Sequence, residues 1–205
     1  MGAITRELNP AERTSLVAHL LAMPAEDRRL RFAHAITDEG LQRYVEGIDF
    51  TRDTVFVATD SQLNVIGAAH LARDGEHAEL GVSVLAPARG QGIGAALLER
   101  SATHARNAGV RVLFMNCLVE NAPMLHLARK QGLQVAVSSG EAEAFVRLPR
   151  PSLRSLASEA VADHLGLIDH AHKAHWVALR GLWLASFGGE SEPPRGGSET
   201  QEGSS

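Results

Sequence analysis

A glycine-rich stretch between a strand-like run (residues 79–85) and an amphipathic helix most constrains how this chain folds. It reads APARGQGIGAA over residues 86–96. Because Gly90, Gly92 and Gly94 have no Cβ, successive backbone N–H groups can close around an anion, and the dipole of the following helix favours negative charge there. Arg89 adds a positive charge whose planar fork suits phosphate oxygens. The stretch therefore predicts a pyrophosphate-binding loop.

Three classes of nucleotide-binding loop are compatible with such a stretch. A Walker A loop needs Lys and then Ser or Thr after its glycines, but Ala95 and Ala96 stand there. The dinucleotide fingerprint is satisfied by Gly90, Gly92 and Ala95, yet it requires a tight strand-to-helix turn and an acidic residue about twenty positions on. A Pro-containing linker, residues 86–88, intervenes here instead. The remaining pattern, Arg-x-x-Gly-x-Gly between strand and helix, resembles the acyl-CoA loop of the GNAT superfamily of N-acetyltransferases.

The resemblance continues on both sides of the loop, over about residues 24–148. Residues 110–114 resemble the superfamily's fifth strand, residues 120–125 (ENAPML) the start of its fourth helix, and residues 130–133 (KQGL) the Lys-x-Gly-Phe end of that helix with Leu for Phe. Upstream, residues 27–32 (DRRLRF) and 48–50 (IDF) resemble GNAT domains attached to acyl-CoA-synthetase-like protein lysine acetyltransferases.

The fold and activity follow from this resemblance as expectations. It implies an α/β fold with a mixed, mostly antiparallel sheet of six to seven strands, flanked by helices. It also implies acetyl-CoA as the acyl donor and an amine as acceptor, either a small molecule or a protein lysine. We expect the acetyltransferase domain in residues 1–150, a C-terminal helical extension in residues 151–187 and a disordered tail in residues 188–205.

Composition limits the partners of the chain. Its 205 residues are 44% hydrophobic and 21% charged, as expected of a soluble globular protein. A net charge of −4 without a basic run argues against nucleic acid. No apolar run is long enough to cross a membrane, and one cysteine suits a reducing compartment. The expected location is cytoplasmic.

Turn residues and hydrophobic spacing predict the order of helices and strands. Asn9, Pro10 and Glu12 start a first helix, a second helical stretch carries Leu30, Phe32, Ala33 and Ile36, and Thr37 caps a third. A meander of strands follows at 54–59, 65–72 and 77–85. The helix after the loop ends at Gly109 and turns its polar residues, Arg100 among them, to solvent. A further strand (111–118), a helix (121–131) and two strands (134–138 and 142–148, joined through residues 139–141) complete the domain.

The resemblance also assigns roles to individual residues. The cofactor-binding residues it implies are Val82, Val84, Arg89, Gly90, Gln91, Gly92, Gly94, Ala95 and Asn121. In this scheme Val82 and Val84 offer strand backbone to pantetheine, and Asn121 contacts the pantetheine arm, although a helix cap explains Asn121 equally well. Glu79 matches the carboxylate that takes the proton of the amine, with a strand-edge ion pair as its alternative.

One position departs from the superfamily pattern. The usual tyrosine acid lies seven residues after the asparagine, where this chain has Ala128. His126 is predicted to be a helix-surface residue and Cys117 a buried strand residue, so neither replaces the tyrosine. The thiolate then leaves unprotonated or takes its proton from water. The alternative function is a catalytically weak acyl-CoA-binding sensor or regulatory module.

The C-terminal helix carries histidines that raise the question of a metal site. His164, His172 and His175 share an arc with Val161, Ile168 and Leu179. His164 lies two turns from the others, too far for a shared metal, so no metal is expected. The spacing instead predicts an amphipathic packing helix, with Gly166 and Gly181 as its weak points. It is expected to pack against its own domain or, in a homodimer, against a second copy, with Trp176 and Trp183 on a buried face.

Overall fold

The computed structural model describes residues 3–138 and 141–187. Its strands are β1 (Arg6–Glu7), β2 (Thr54–Thr59), β3 (Val65–Asp74), β4 (His77–Val84), β5 (Val112–Leu118), β6 (Gln134–Ser138) and β7 (Glu141–Arg147). Its helices are α1 (Arg13–Leu21), α2 (Ala25–Phe32), α3 (Asp38–Glu46), α4 (Ile93–Asn107), α5 (Ala122–Lys130) and α6 (Leu153–Phe187). The predicted connection at residues 139–140 and the predicted disordered tail at 188–205 lie outside the described residues.

A seven-stranded sheet in the order β1-β2-β3-β4-β5-β7-β6 forms the centre of the molecule. The predicted meander is present, since β2, β3 and β4 are consecutive antiparallel neighbours. The pairing of β4 with β5 is parallel, whereas the other five pairings are antiparallel. The expectation of a mixed, mostly antiparallel sheet flanked by helices is confirmed.

The parallel pairing of β4 with β5 stops early. It joins only three residue pairs, from His77–Val112 to Glu79–Phe114. β4 nevertheless continues to Val84 and β5 to Leu118, where β5 is paired with β7 on its other side. The two strands therefore diverge after Glu79, and the remaining backbone of β4 is left without a strand partner on that side.

Helices cover both faces of the sheet. Leu97 and Leu98 of α4 pack on one face with Leu80, Val82 and other alternate residues of the strands. On the opposite face, Leu16 and Leu20 of α1 and Leu41 and Val45 of α3 pack against Val55 and Val57. Alternation of side chains along the strands divides the core in this way.

The predicted helix starts are confirmed, but one predicted stretch is wrong. Asn9 and Glu12 form a capping box, although the first turn is a 3₁₀ helix, Pro10–Glu12, that leads into α1. Thr37 accepts a hydrogen bond from Gly40 N at 3.1 Å and caps α3. The second helix, however, begins at Ala25 and ends at Phe32, because Ala33 takes a left-handed conformation with φ of 63°. Ile36 therefore lies outside it.

α6 is one continuous helix of 35 residues that docks on the domain through polar contacts. Arg100 of α4 pairs with Asp163 of α6 and stacks 4.9 Å from the centre of the Phe56 ring. Lys173 donates to Thr59 O at 2.8 Å. The prediction that Arg100 faces solvent is wrong, because α6 covers that side of α4 and leaves Arg100 6% exposed.

The apolar arc of α6 faces away from the domain. Val161, Ile168 and Leu179 are all exposed, and Trp176 is 58% exposed. Packing of this arc against its own domain is therefore wrong, because the inner face of the helix is the polar one. Packing against a second copy, and with it the burial of Trp176, stays a prediction. The side chain of Trp183 lies outside the described residues. Within the described residues, no helix is long and apolar enough to cross a membrane.

Gly166 lies where α6 closely approaches β1, rather than at a weak point of the helix. A Cβ there would lie 2.7 Å from Thr5 O and 2.9 Å from Arg6 Cβ. We expect Gly166→Ala to lower the free energy of unfolding by about 1–3 kcal/mol, because the helix must shift to relieve this overlap. Urea unfolding measured by circular dichroism checks the change.

Gly181 provides the control within the same helix. No described atom lies within 4 Å of its added Cβ. Gly181→Ala should therefore raise the free energy of unfolding, by up to about 1 kcal/mol, through helix propensity alone. Equal effects at the two glycines would contradict the close packing of α6 on β1.

Candidate active site

A cleft lies between the loop that follows β4 and the helices α2 and α5. Its volume is about 440 Å³. Eight of the predicted cofactor-binding residues line it: Val82, Val84, Arg89, Gly90, Gly92, Gly94, Ala95 and Asn121. Gln91 and Glu79 are not among the lining residues; Gln91 is exposed on the loop and donates to Pro87 O at 3.3 Å. The structure thus brings most of the predicted site together.

The loop leaves backbone donors free at the start of α4. Gly92 is the N-cap of that helix and has φ of 79°, a left-handed conformation that glycine adopts without strain. The first intrahelical bond after it runs from Ala96 N to Gly92 O, at 3.0 Å. The N–H groups of Ile93, Gly94 and Ala95 therefore have no intrahelical acceptor. With the helix dipole, they suit a phosphate group.

Arg89 is engaged within the protein. Its Nη2 lies 2.6 Å from Asp27 Oδ2 on α2, and its Nε donates to Val84 O at 3.1 Å. The guanidinium stays half-exposed at the rim of the cleft. It therefore ties the loop to α2 while keeping N–H groups available to an anion.

β4 presents both a backbone and a carboxylate where it diverges from β5. Val82 is buried in the core, so its side chain anchors the strand while its backbone borders the cleft. Glu79, at the last β4–β5 pair, is exposed and accepts a hydrogen bond from Asn116 Nδ2 at 3.2 Å. No sequence pattern assigned a role to Asn116, although it follows Phe114, the β5 partner of Glu79, by two residues.

Asn121 acts as a helix cap. Its Oδ1 accepts from Met124 N at 3.2 Å, and its Nδ2 donates to Leu30 O at 3.3 Å. The cap alternative is therefore confirmed, and Asn121 additionally fastens α2 beside the cleft. Contact with pantetheine stays a prediction.

Three polar side chains of the site went unassigned in the sequence. Arg31 of α2 lines the cleft, as does Ser83 of β4. Ser83 Oγ donates to His19 Nε2 at 2.8 Å, while His19 Nδ1 donates to Val65 O at 2.9 Å. Burial lowers the pKa of His19, so the ring is neutral and joins α1 to the sheet. The sequence signal that could have identified Arg31 as a site residue is its position in the DRRLRF stretch, which resembles the family.

Comparison with known proteins identifies the family. The acetyltransferase (GNAT) family matches residues 21–133, more than half of the chain. This chain belongs to the GNAT acetyltransferase family. It is accordingly an acetyltransferase, and acetyl-CoA is its acyl donor.

Solved GNAT structures share the fold. The GNAT domain of S. lividans PAT superimposes with a TM-score of 0.62 at 21% identity, covering 70% of this chain and 89% of that one. YncA of Salmonella typhimurium, solved with acetyl-CoA, gives 0.55 at 18% identity, with 74% and 97% covered. Spermidine N-acetyltransferase of Vibrio cholerae, solved with CoA and spermine, gives 0.54 at 16% identity, with 70% and 94% covered. At these identities the likeness concerns the fold alone.

Ala128, which stands at the usual GNAT tyrosine position, is 1% exposed and packs in the core. It is not among the residues that line the cleft. His126 is exposed on α5 as predicted, but it also lines the cleft. Cys117 is buried as predicted, and burial raises the pKa of its thiol. Among the described side chains, no cluster of potential ligands could hold a metal.

Binding of phosphate by the loop at residues 89–95 should require glycine at position 92. We expect Gly92→Val to weaken acetyl-CoA binding by at least about tenfold, because a Cβ intrudes where phosphate oxygens meet backbone N–H groups, and because a β-branched residue resists φ of 79°. Isothermal titration calorimetry measures the affinity.

Gly75→Val is the matched control. Gly75 also has a positive φ, 57°, and open space around its Cβ position, but it lies in the β3–β4 hairpin. The Gly75→Val variant should lose stability as Gly92→Val does, but it should keep wild-type affinity for acetyl-CoA. Unchanged affinity in Gly92→Val would contradict the assignment of the loop as a phosphate cradle.

Proposed function

We propose that this GNAT enzyme transfers acetyl from acetyl-CoA to a primary amine, of a small molecule or of a protein lysine, by direct attack within a ternary complex. The observation that carries the proposal is the position of Glu79. This exposed carboxylate lies where β4 and β5 begin to diverge, next to the β4 backbone that borders the cleft. A proton acceptor and a donor-binding strand therefore meet at one point of the sheet.

The donor end of the site follows from the backbone of β4 and α4. Unpaired N–H and C=O groups around Val82 and Val84 can bond to the amides of pantetheine as a further strand would. N–H groups of Gln91, Gly92, Gly94 and Ala95 face the pyrophosphate, with Gly90 allowing the loop to turn and Arg89 at the rim. A β4 amide then polarises the thioester carbonyl as negative charge builds on its oxygen.

The proton balance assigns Glu79 its role. An ammonium acceptor first gives one proton to Glu79, directly or through water, and becomes a neutral nucleophile. The amine nitrogen then forms its bond to the acetyl carbon as the carbon–sulfur bond breaks. The second proton passes from the nitrogen to water, and CoA departs as thiolate, or as thiol when water returns that proton to the sulfur. Glu79 then gives its own proton to solvent. Asn116, which donates to Glu79 Oε1, holds the carboxylate in place.

Structural relatives support an amine as acceptor. The spermidine N-acetyltransferase of Vibrio cholerae, which shares this fold, was solved with CoA and the polyamine spermine. The GNAT domain of S. lividans PAT shares the fold as well. Neither selects between a small amine and a lysine side chain here.

The catalytic role of Glu79 predicts a change in both rate and pH dependence. Glu79→Gln keeps the size and an acceptor oxygen but cannot take a proton. We expect normal acetyl-CoA binding and a loss of turnover of about a hundredfold to ten-thousandfold. Activity should recover partly at high pH, where more of the amine is already neutral. CoA release, followed with a thiol reagent across pH, measures the effect.

Glu99→Gln, on the exposed side of α4, is the control and should retain wild-type turnover. Wild-type turnover and pH dependence in Glu79→Gln would mean that water or another group takes the proton. The absence of a tyrosine at position 128 favours one competing function, an acyl-CoA sensor. Acetyl-CoA binding without CoA release across a panel of amines and lysine peptides would support the sensor instead.

We further propose that the outer face of α6 packs against the same face of a second copy. Its residues alternate in steps of four and three, as in a coiled-coil seam: Val161, Leu165, Ile168, His172, His175 and Leu179. Polar contacts already occupy the inner face of the helix. A helix of 35 residues is about 52 Å long, enough for several turns of contact.

Ile168→Glu tests this pairing. It places like charges opposite each other across the seam, and we expect a dimeric wild type to become monomeric by light scattering. Leu167→Glu is the control: Leu167 is 65% exposed, more than Ile168 at 54%, but lies off the seam. A wild type that is monomeric at high concentration, or equal behaviour of the two variants, would contradict the dimer.

A further inference from the structure

Arg31 is a cation held inside the cleft without a carboxylate partner. It projects from α2, is half-buried and borders the same cavity as the loop. Within the described residues it forms no ion pair. Asp27, one turn earlier on the same helix, pairs with Arg89 instead. A guanidinium in this position attracts an anion, and no carboxylate among the described residues supplies one.

Gly81 makes the room for this guanidinium. A Cβ added at Gly81 would overlap the guanidinium of Arg31, whose central carbon and two terminal nitrogens are the nearest atoms. Position 81 of β4 therefore has to be glycine for Arg31 to rest on the sheet. The sequence shows this as a gap in an otherwise side-chain-bearing strand, between Leu80 and Val82.

A chain of hydrogen bonds orients Arg31. Its Nη2 donates to Tyr44 Oη at 3.1 Å, and Tyr44 Oη donates to His70 Nδ1 at 2.7 Å. His70 Nε2 in turn lies 3.4 Å from Asp53 Oδ2. Burial lowers the pKa of His70, and the charge of Arg31 lowers it further. The neutral ring can therefore accept a hydrogen bond from the tyrosine hydroxyl. The phenol oxygen is thereby left to accept from Arg31.

The guanidinium keeps most of its donors free. Of the five N–H groups that an arginine carries, only the one on Tyr44 has a hydrogen-bond partner within the described residues. The rings of Phe32 and Tyr44 lie 4.8 and 6.0 Å from its central carbon and restrict its movement. A planar fork fixed in this way matches the two oxygens of a carboxylate.

Glu79 and the Arg31 site form a pair of opposite charges on one face of β4. Gly81 follows Glu79 by two residues, so both positions face the same side of the sheet, about 7 Å apart. No ion pair joins Arg31 to Glu79 in the described structure. Two opposite charges at this spacing match a small ligand that carries an ammonium and a carboxylate together. A lysine side chain or a polyamine offers only the ammonium.

We propose that the acceptor is a free amino acid, whose amine is deprotonated by Glu79 while its carboxylate binds the guanidinium of Arg31. This inference rests on the proposed amine acetylation and narrows it to one substrate class. The reaction then yields an N-acetylamino acid and CoA. The carboxylate is not consumed; it fixes the amine in the direction of the thioester.

The test compares amino acids with matched compounds that lack the carboxylate. Amino acids, their carboxamides and the corresponding decarboxylated amines are assayed by CoA release. Wild-type kcat/KM should favour each amino acid over its amide by about tenfold to a hundredfold, the value of a charged hydrogen-bonded pair. Calorimetric titration of the CoA-bound protein with the same compounds gives the comparison without turnover.

Variants locate the preference. Arg31→Gln should bring the ratio of amino acid to amide close to one while leaving acetyl-CoA affinity unchanged. Gly81→Ala should do the same by displacing the guanidinium with Arg31 intact. Arg29→Gln, on the same helix but paired with Glu26 and Glu120, should keep the wild-type ratio.

The outcomes separate the two proposals. Efficient use of amides, polyamines or lysine peptides by the wild type, with no preference for amino acids, would overturn this inference and leave amine acetylation standing. Weaker acetyl-CoA binding in Arg31→Gln, with an unchanged ratio, would assign Arg31 to the donor and also overturn it. Acetyl-CoA binding without CoA release from any compound would overturn the proposed function itself, and equal calorimetric affinities for amino acid and amide would then overturn this inference too.

Discussion

The early end of the parallel pairing between β4 and β5 is the constraint on which the rest of the site depends. A strand buried in a sheet uses its backbone groups on both sides, but β4 loses its partner after Glu79. Its free edge opens toward the cleft, and the glycine loop follows directly from its end. Where the two strands begin to separate, Asn116 of β5 still donates a hydrogen bond to Glu79 of β4. The proposed donor binding and the proposed proton transfer therefore share one structural cause.

Helix α2 borders this opening. Its contacts with other elements explain how a short and highly charged helix is held there. Arg89 of the loop holds Asp27, Glu120 holds Arg29, and Asn121 holds the carbonyl of Leu30. Each contact links α2 to an element that borders the cleft. A further cation of α2, Arg31, borders the cleft and forms no ion pair within the described residues. A movement of α2 would alter the loop, the α5 cap and the acceptor side together.

Local patterns explain how much of this could be predicted from sequence. The capping box at Asn9, the Thr37 cap and the strand at 54–59 depend on neighbouring residues, and the structure agrees with the sequence almost to the residue. The loop and most of its cleft-lining residues followed from the glycine spacing and the family resemblance. Arg100 and Arg31 could not be placed in the same way. Their burial depends on elements distant in the chain, α6 for Arg100 and the bare backbone of Gly81 for Arg31.

The docking of α6 shows why helix periodicity alone misled. Amphipathic spacing normally predicts that the apolar stripe faces the domain. Here Arg100 already lies beneath α6 and needs a carboxylate, because a buried unpaired cation is costly. Asp163 and Glu159 meet that need only if the polar face of α6 turns inward. The apolar stripe is then left outside, so the charge buried in α4 determines which face of α6 stays exposed.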